Sequence, residues 1–426
     1  MEAEPERPEI SRRGPVPGHW QEVARQSNLL APDGTLASTI FAEMSALAVR
    51  TGAINLGQGF PDTDGPGSLL DDAVAAIRGG RNQYPPGRGM PELRTAVAAH
   101  QRRWYSLDVD PDTEVLVTAG ATEAIAATVM ALCEPGDEVV MLEPYYDSYA
   151  AAVALAGAVR RTVPLRFPGY GLDPDALAAA FTPRTRLVLL NTPHNPTGRV
   201  LSRPELDLIA RLAVRHDVIV VADEVYEHLT FDGSEHVPIA TLPGMADRTV
   251  TVSSAGKTFS VTGWKVGWLH ARPDLVDAIT TVKQFLTYVN AGPLQPAVAG
   301  ALHLPDEPFA RAAATLQAGR DQLVDGLLDA GFTVSVPAGT YFVVADAAPL
   351  GFDDGLELCR RLPDLAGVVA VPVRVFHDDV DPARSLVRFA FCKRPEVLAE
   401  ASLRLRRLRL GRAGATEPTP TGPTHA

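Results

Sequence analysis

Short apolar runs recur along the middle of the chain at intervals that leave room for a helix between them. They are VLVT (115–118), EVVML (138–142), RLVLL (186–190), VIVVA (218–222) and TVTV (249–252). The first two lead into the alanine-rich, helix-like stretches ATEAIAATVMALC and YYDSYAAAVALAGA. Strand-like runs alternating with helical stretches predict a mostly parallel sheet covered by helices on both faces. From about residue 308 the pattern changes. The charged, helical PFARAAATLQAGRDQLVDGLLDAG leads into short strands near FTVSV, TYFVVAD and SLVRFAFC, which predicts a smaller α+β domain. Residues 1–35, rich in Pro, Arg and Glu, and residues 411–426, poor in core-forming side chains, are expected to be flexible tails. No internal repeat is visible.

Composition narrows the class. A chain of 426 residues has room for two domains sharing one large core. Its 46% hydrophobic and 21% charged residues are the balance of a globular protein. A net charge of −12 argues against a nucleic-acid or anionic-membrane partner. Three widely spaced cysteines suit neither a disulfide framework nor a zinc cluster, so no metal is expected. The start, MEAEPERPEI, lacks the basic and apolar regions of a signal peptide, and no apolar run approaches the ~20 residues of a membrane span. The expectation is a soluble, cytoplasmic protein.

The chain has 35 arginines but only four lysines, Lys257, Lys265, Lys283 and Lys393. Two of them lie within SSAGKTFSVTGWKVGW (253–268). An amine that can lose its proton can form an imine with an aldehyde, which guanidinium cannot. In open parallel sheets ligands gather beyond the carboxyl ends of the strands. VLVT is followed by Gly120, Ala121 and Thr122, whose backbone N–H groups can approach a phosphate at the positive end of a helix. Taken alone, they read first as a plain strand-to-helix turn. RLVLL is followed by NTPHNPTG (191–198), which puts Asn191 and Asn195 at the same edge. VIVVA ends at Asp223, a carboxylate that is costly there without a partner, or else a helix cap. Tyr226 follows three residues later, and TVTV delivers Ser253, Ser254 and Lys257. These pieces supply what pyridoxal 5′-phosphate needs. They are an amine (Lys257), an acid for the ring nitrogen (Asp223), donors for the phenolic oxygen (Asn195, Tyr226) and a phosphate cup (Gly120–Thr122, Ser254, Lys265).

The same segments stand in one order with INLGQGFPD (54–62), NQYPPGRG (82–89), EPYYDSY (143–149), ADEVYEHL (222–229), KQFLTYVNAGPLQPAVA (283–299) and LVRFAFCKR (386–394). On them the chain, from about residue 36 to 410, resembles a fold-type-I pyridoxal-phosphate aminotransferase of the class I/II group. The likeness is to the branch holding actinobacterial N-succinyldiaminopimelate aminotransferases and kynurenine/glutamine aminotransferases. The resemblance implies an α/β fold: a large domain, residues 60–305, with a mixed, mostly parallel seven-stranded sheet, and a smaller α+β domain joining residues 36–59 to 306–410. It makes Lys257 the Schiff-base lysine and proton shuttle, Asp223 the partner of the pyridinium nitrogen, and Asn195 and Tyr226 the donors to the phenolic oxygen. Tyr146 would stack on the ring, and Gly120, Ala121, Thr122, Ser254 and Lys265 would hold the phosphate. Arg388 would grip the substrate α-carboxylate, with Gly59 on the substrate side. Phe41 falls where the kynurenine branch often has tryptophan, which argues against carrying over an aromatic-substrate preference. The resemblance also implies a homodimer with shared active sites, in which Tyr84 of one chain reaches the phosphate of the other. The expected reaction is ping-pong transfer of an amino group between an amino acid, glutamate first, and a 2-oxo acid or N-succinyl-2-amino-6-oxopimelate, in lysine biosynthesis. The alternatives are a kynurenine/glutamine/methionine-type aminotransferase and a cysteine-conjugate carbon–sulfur β-lyase.

Overall fold

Seven strands form the main sheet of the computed structural model, which describes residue 16, residues 18–31 and residues 33–409. They are β1 (Val115–Thr118), β2 (Glu138–Glu143), β3 (Val159–Pro164), β4 (Thr185–Asn191), β5 (Ile219–Asp223), β6 (Thr249–Ser254) and β7 (Gly267–His270). Their order across the sheet is β1-β7-β6-β5-β4-β2-β3. Pairings from β6 through β3 are parallel, whereas β7 runs antiparallel to both β1 and β6. This is the mixed, mostly parallel sheet expected from the sequence. β3 (VRRTVP) carries no apolar run because it is an edge strand, with only Val163 buried. The periodicity therefore does not announce it.

Helices cover both faces. Arg203–His216, between β4 and β5, shows how local sequence sets one. Ser202 and Glu205 form a reciprocal capping box, Pro204 sits in the first turn, and Asp217 ends the helix in a left-handed conformation. Leu206, Ile209, Ala210 and Ala213 recur at helical spacing and are buried against the sheet. On the opposite face Ile125, Val129, Tyr149, Val153 and Ile279 pack with Val139, Val221 and Val250.

The chain after residue 305 builds a second layer. Val371–Pro372, Leu386–Ala390, Phe342–Asp346 and Thr333–Ser335 form a four-stranded antiparallel sheet in that order. It is accompanied by the helices Asp306–Ala330, Gly355–Ala366 and Pro395–Leu405. The early helix Ile40–Thr51 packs on Gly355–Ala366, and Ile54–Asn55 pairs in parallel with Val368–Val369. One apolar cluster runs from Val140, Val188 and Val220 of the large sheet to Val343, Val387 and Phe389 of the small one. The two layers thus share a core, and the cleft between them has a firm floor.

The expected N-terminal tail is too long. Trp20–Gln26 is a helix with Ala24 buried, because Trp20, Val23 and Ala24 fall on one helical face. His19 Nε2 lies 2.9 Å from the Ala154 carbonyl, and Arg160 bonds Gln26. Residues 1–15 and the expected C-terminal tail, 411–426, lie outside the described residues. Among the described residues no helix is long and apolar enough to cross a membrane, and all three cysteines are buried and free.

Candidate active site

A cavity of about 320 Å³ lies at the carboxyl ends of the central strands, roofed by the smaller layer. Asn191 is the last residue of β4, Asp223 of β5 and Ser254 of β6. Asn191 and Asp223 are directly paired across their strands. Lys257 follows in the short helix Ala255–Thr258. The antiparallel β7 begins where its neighbours end: Gly267 pairs with both Thr118 and Ser254. That brings Lys265 beside Gly120, at the start of the helix Gly120–Leu132. A Cβ on Gly267 would sit 2.5 Å from the Gly120 carbonyl carbon, and Gly120 itself has φ +73°. Glycine is required at both places. From the smaller layer come Phe342 and Arg388, and from the early segment Phe41, Gln58, Gly59 and Phe60.

Asp223 is buried and accepts the Tyr149 hydroxyl at 2.6 Å on Oδ2 and the Val225 N–H at 3.3 Å on Oδ1. Burial pushes its pKa up to about 6, outweighing those two bonds and the nearby charge of Lys257. A cationic N–H placed against this carboxylate would restore its charge. The Asn191 side chain fixes the loop that follows β4, donating to the Asp223 carbonyl at 2.8 Å and accepting from the Asn195 backbone N–H at 2.7 Å. Asn195 Oδ1 accepts from Arg388 Nη1 at 3.0 Å, which turns the amide nitrogen of Asn195 to other partners.

Arg388 is 2% exposed and meets no carboxylate at ion-pair distance among the described residues. Its Nη2 donates to the Gly57 carbonyl at 3.3 Å, and Nε has no hydrogen-bond partner. The guanidinium lies 4.0 Å from the ring centre of Phe342 and 4.8 Å from that of Phe376. Burial pulls its pKa down to about 10, so it remains cationic near neutrality. A buried, aromatic-walled cation with a free N–H is built for an incoming carboxylate. Lys257 Nζ stands 5.8 Å from the ring centre of Tyr226 and 5.6 Å from that of Tyr341, without hydrogen bond or ion pair among the described residues. Lys265 has its pKa lowered, first by burial and then by the charge of Lys257. A polyanion between the helix start and Lys265 would offset that unfavourable charge. Donors, acid and amine together fit pyridoxal 5′-phosphate.

Lys257, Asp223, Tyr226, Asn195, Tyr146, Gly120, Ala121, Thr122, Ser254, Lys265, Gly59, Phe41 and Arg388 all line this one cavity. Tyr84 does not. It is 82% exposed, edge-on to Tyr288 at 5.7 Å. Sequence reasoning missed Tyr149, whose hydroxyl orients Asp223 from 74 positions away. It also missed Phe342, whose ring would lie 2.4 Å from a Cβ on Gly59 and so demands glycine there.

Residues 51–404 match the family model of the class I and II aminotransferases. The chain belongs to that family. It is an aminotransferase, and its cofactor is pyridoxal 5′-phosphate. It is 54% identical over 379 residues to a probable N-succinyldiaminopimelate aminotransferase of Mycobacterium tuberculosis, covering 87% of this chain and 96% of that one. The solved structure of N-succinyldiaminopimelate aminotransferase from M. tuberculosis superposes with a TM-score of 0.85 over 87% of this aminotransferase and 97% of that chain, at 54% identity. The methionine aminotransferase of Escherichia coli is 40% identical over 373 residues, 88% of this chain and 96% of its own.

Proposed function

We propose that this aminotransferase exchanges an amino group between glutamate and N-succinyl-2-amino-6-oxopimelate, in the cytoplasm, as a step toward lysine. The observation that carries the substrate is the 54% identity to the M. tuberculosis relative along 96% of that protein's length. When bound, pyridoxal 5′-phosphate supplies a pyridinium ring that draws electrons from the substrate α-carbon as its proton leaves. Asp223, steadied by Tyr149, would hold the charge on the ring nitrogen. The Asn195 amide nitrogen and the Tyr226 hydroxyl would donate to the phenolic oxygen, with Tyr146 beside the ring. Gly120, Ala121, Thr122, Ser254 and Lys265 would bind the phosphate. Arg388 orients the substrate by its α-carboxylate, with Gly59 and Phe41 beside it. Lys257 Nζ anchors the cofactor and moves the proton that leaves the α-carbon.

Residues 60–305 form one body of the enzyme, and residues 36–59 with 306–410 the other. Two copies build a pair of sites, Tyr84 of each reaching the phosphate end of its partner's. Support comes from the exposure of Tyr84 together with that of Phe285, 85%, and Leu286, 45%, apolar side chains of the kind a partner chain covers.

The 40% identity to a methionine aminotransferase favours a second reading, a neutral amino-acid donor. Single-turnover loss of the cofactor's visible absorbance, measured with N-succinyl-diaminopimelate, glutamate, methionine and kynurenine, separates the two. The proposal expects N-succinyl-diaminopimelate and glutamate to react with the highest kcat/KM. Methionine or kynurenine ahead of both would overturn it.

A further inference from the structure

A second cavity, of about 350 Å³, shares one lining residue with the first: Lys257. Its walls are aromatic. Phe259, Phe309, Tyr341 and Phe391 are all buried, and the rings of Phe259 and Phe309 lie 5.7 Å apart at 58°. The wall between the cavities is short: Gly59 and Phe60 line the first and Pro61 the second, and the Tyr341 hydroxyl of the second donates to the Gly59 carbonyl at 2.6 Å.

The charge here runs against the rest of the molecule. Lys257, Arg311, Lys393 and Arg394 line the cavity against a single carboxylate, Asp64, in a chain of net charge −12. Arg311 is paired with Glu307, and Arg394 with Glu396 at 3.2 Å and Asp62 at 3.6 Å. The two lysines are not so neutralised. Lys393 Nζ donates to the Phe60 carbonyl at 2.7 Å and sits 4.4 Å from the Phe60 ring centre, with no carboxylate partner among the described residues. Lys257 has none either. With Lys257 held by the cofactor, Lys393 is the uncompensated ammonium at the mouth of these aromatic walls, and the pairing matches one ligand chemistry, a flat apolar body carrying one carboxylate.

We propose that this cavity binds a small aromatic monocarboxylate, paired through its carboxylate with Lys393, and that occupancy restrains Lys257 and slows transamination. The slowing rests on Lys257 being the reacting lysine; the binding does not. Phenylacetate is the probe, titrated calorimetrically into cofactor-loaded enzyme and, separately, into the steady-state assay. Binding should be accompanied by a fall in kcat with little change in the KM of the amino donor. Ala312→Trp fills the cavity from the helix Asp306–Ala330 and should weaken binding and inhibition at least ~10-fold, leaving activity without phenylacetate unchanged. Lys393→Met, a second and independent lesion, should weaken both about 10-fold, the worth of one charge-assisted contact. Three results overturn the proposal: no binding below about 10 mM, binding that survives both substitutions, or inhibition competitive with the amino donor, which would place phenylacetate at Arg388. Binding lost in Ala312→Trp but without effect on wild-type turnover overturns the restraint of Lys257. Mapping of the cofactor-linked lysine, done independently, shows whether the reading of Lys257 has failed instead.

Discussion

Arg388→Lys isolates the geometry of carboxylate recognition from its charge. Arg388 is held at one end by the Asn195 Oδ1 and Gly57 carbonyl and leaves Nε without a protein partner. A carboxylate arriving there can take two parallel N–H bonds from a planar fork, whereas an ammonium offers one compact point of contact. One charge-assisted bond lost is worth roughly 1.5–3 kcal/mol, or about 10- to 150-fold in KM at 25 °C. A second effect follows from the site itself. Burial already pulls the Arg388 pKa down to about 10. A lysine at the same buried place would likewise have its pKa lowered from the ordinary value of about 10.4. The variant should therefore lose its charge, and weaken further, at lower pH than the wild type does. The assay is stopped-flow decay of the cofactor band against amino-acid concentration at several pH values. Similar losses for glutamate and for methionine are expected, because every amino acid carries the α-carboxylate. A loss confined to dicarboxylic substrates would mean that Arg388 reads the side chain. An unchanged KM would refute carboxylate binding there altogether.

Borohydride reduction of the yellow holoenzyme should bleach it and leave the label on Lys257; peptide mapping that finds it on Lys265, Lys283 or Lys393 refutes the assignment. Asp223→Ala should retain cofactor but lose at least ~100-fold in turnover, the scale of one electrostatic stabiliser removed from a transition state; near-normal turnover would reduce Asp223 to a helix cap. Cofactor-free protein gives a pH test of the same residue. The folded pKa of Asp223, about 6, stands above the ~3.9 of an unfolded chain, so its stabilisation is complete below about pH 4 and is lost as pH rises through 6. Urea titrations of wild type and Asp223→Asn should accordingly diverge by roughly 3 kcal/mol across that window, and parallel curves would contradict the buried carboxyl. Mixed dimers of Lys257→Ala and Tyr84→Ala chains should recover activity at limiting cofactor, since one of their two sites carries neither lesion; no recovery would show that Tyr84 serves its own chain.

The sequence was most readable where chemistry coincides with a strand end. Asp223, Ser254 and Gly120 follow apolar runs, so a rule about parallel sheets placed them at one edge before any coordinate did. Arg388 had no such flag. It lies inside a buried strand, and only likeness to the family singled it out. Tyr149 was invisible for a related reason: it sits one turn into a helix among alanines, and its meaning depends on a hydrogen bond to a strand 74 positions away. Phe342 faces Gly59 across about two thirds of the chain. β3 was missed because an edge strand needs no apolar run. The helix Trp20–Gln26 was missed because a proline- and arginine-rich neighbourhood masks three residues on one face. Local pattern reports burial and chain direction well; it says little about which distant side chain completes a site.

The reversed strand β7 has a consequence for how the molecule is made. β1 is the first strand of the large sheet to leave the ribosome, yet its sole neighbour in that sheet is β7, the last, about 150 residues later. Until that partner exists β1 has no neighbour in the sheet, although the helix that starts at Gly120 can already pack on β2, β5 and β6, and closing so long a loop belongs to the slow class of folding events. The proposed phosphate cradle sits at this seam, with Gly120 contributed by the oldest part of the sheet and Lys265 by the newest. A nascent chain shorter than about 270 residues can build β2 to β6 and bury much of their apolar surface, but it has no cradle. If the cradle is as proposed, tight binding of the cofactor waits for the finished sheet and arrives late in synthesis, when the two ends of its history meet.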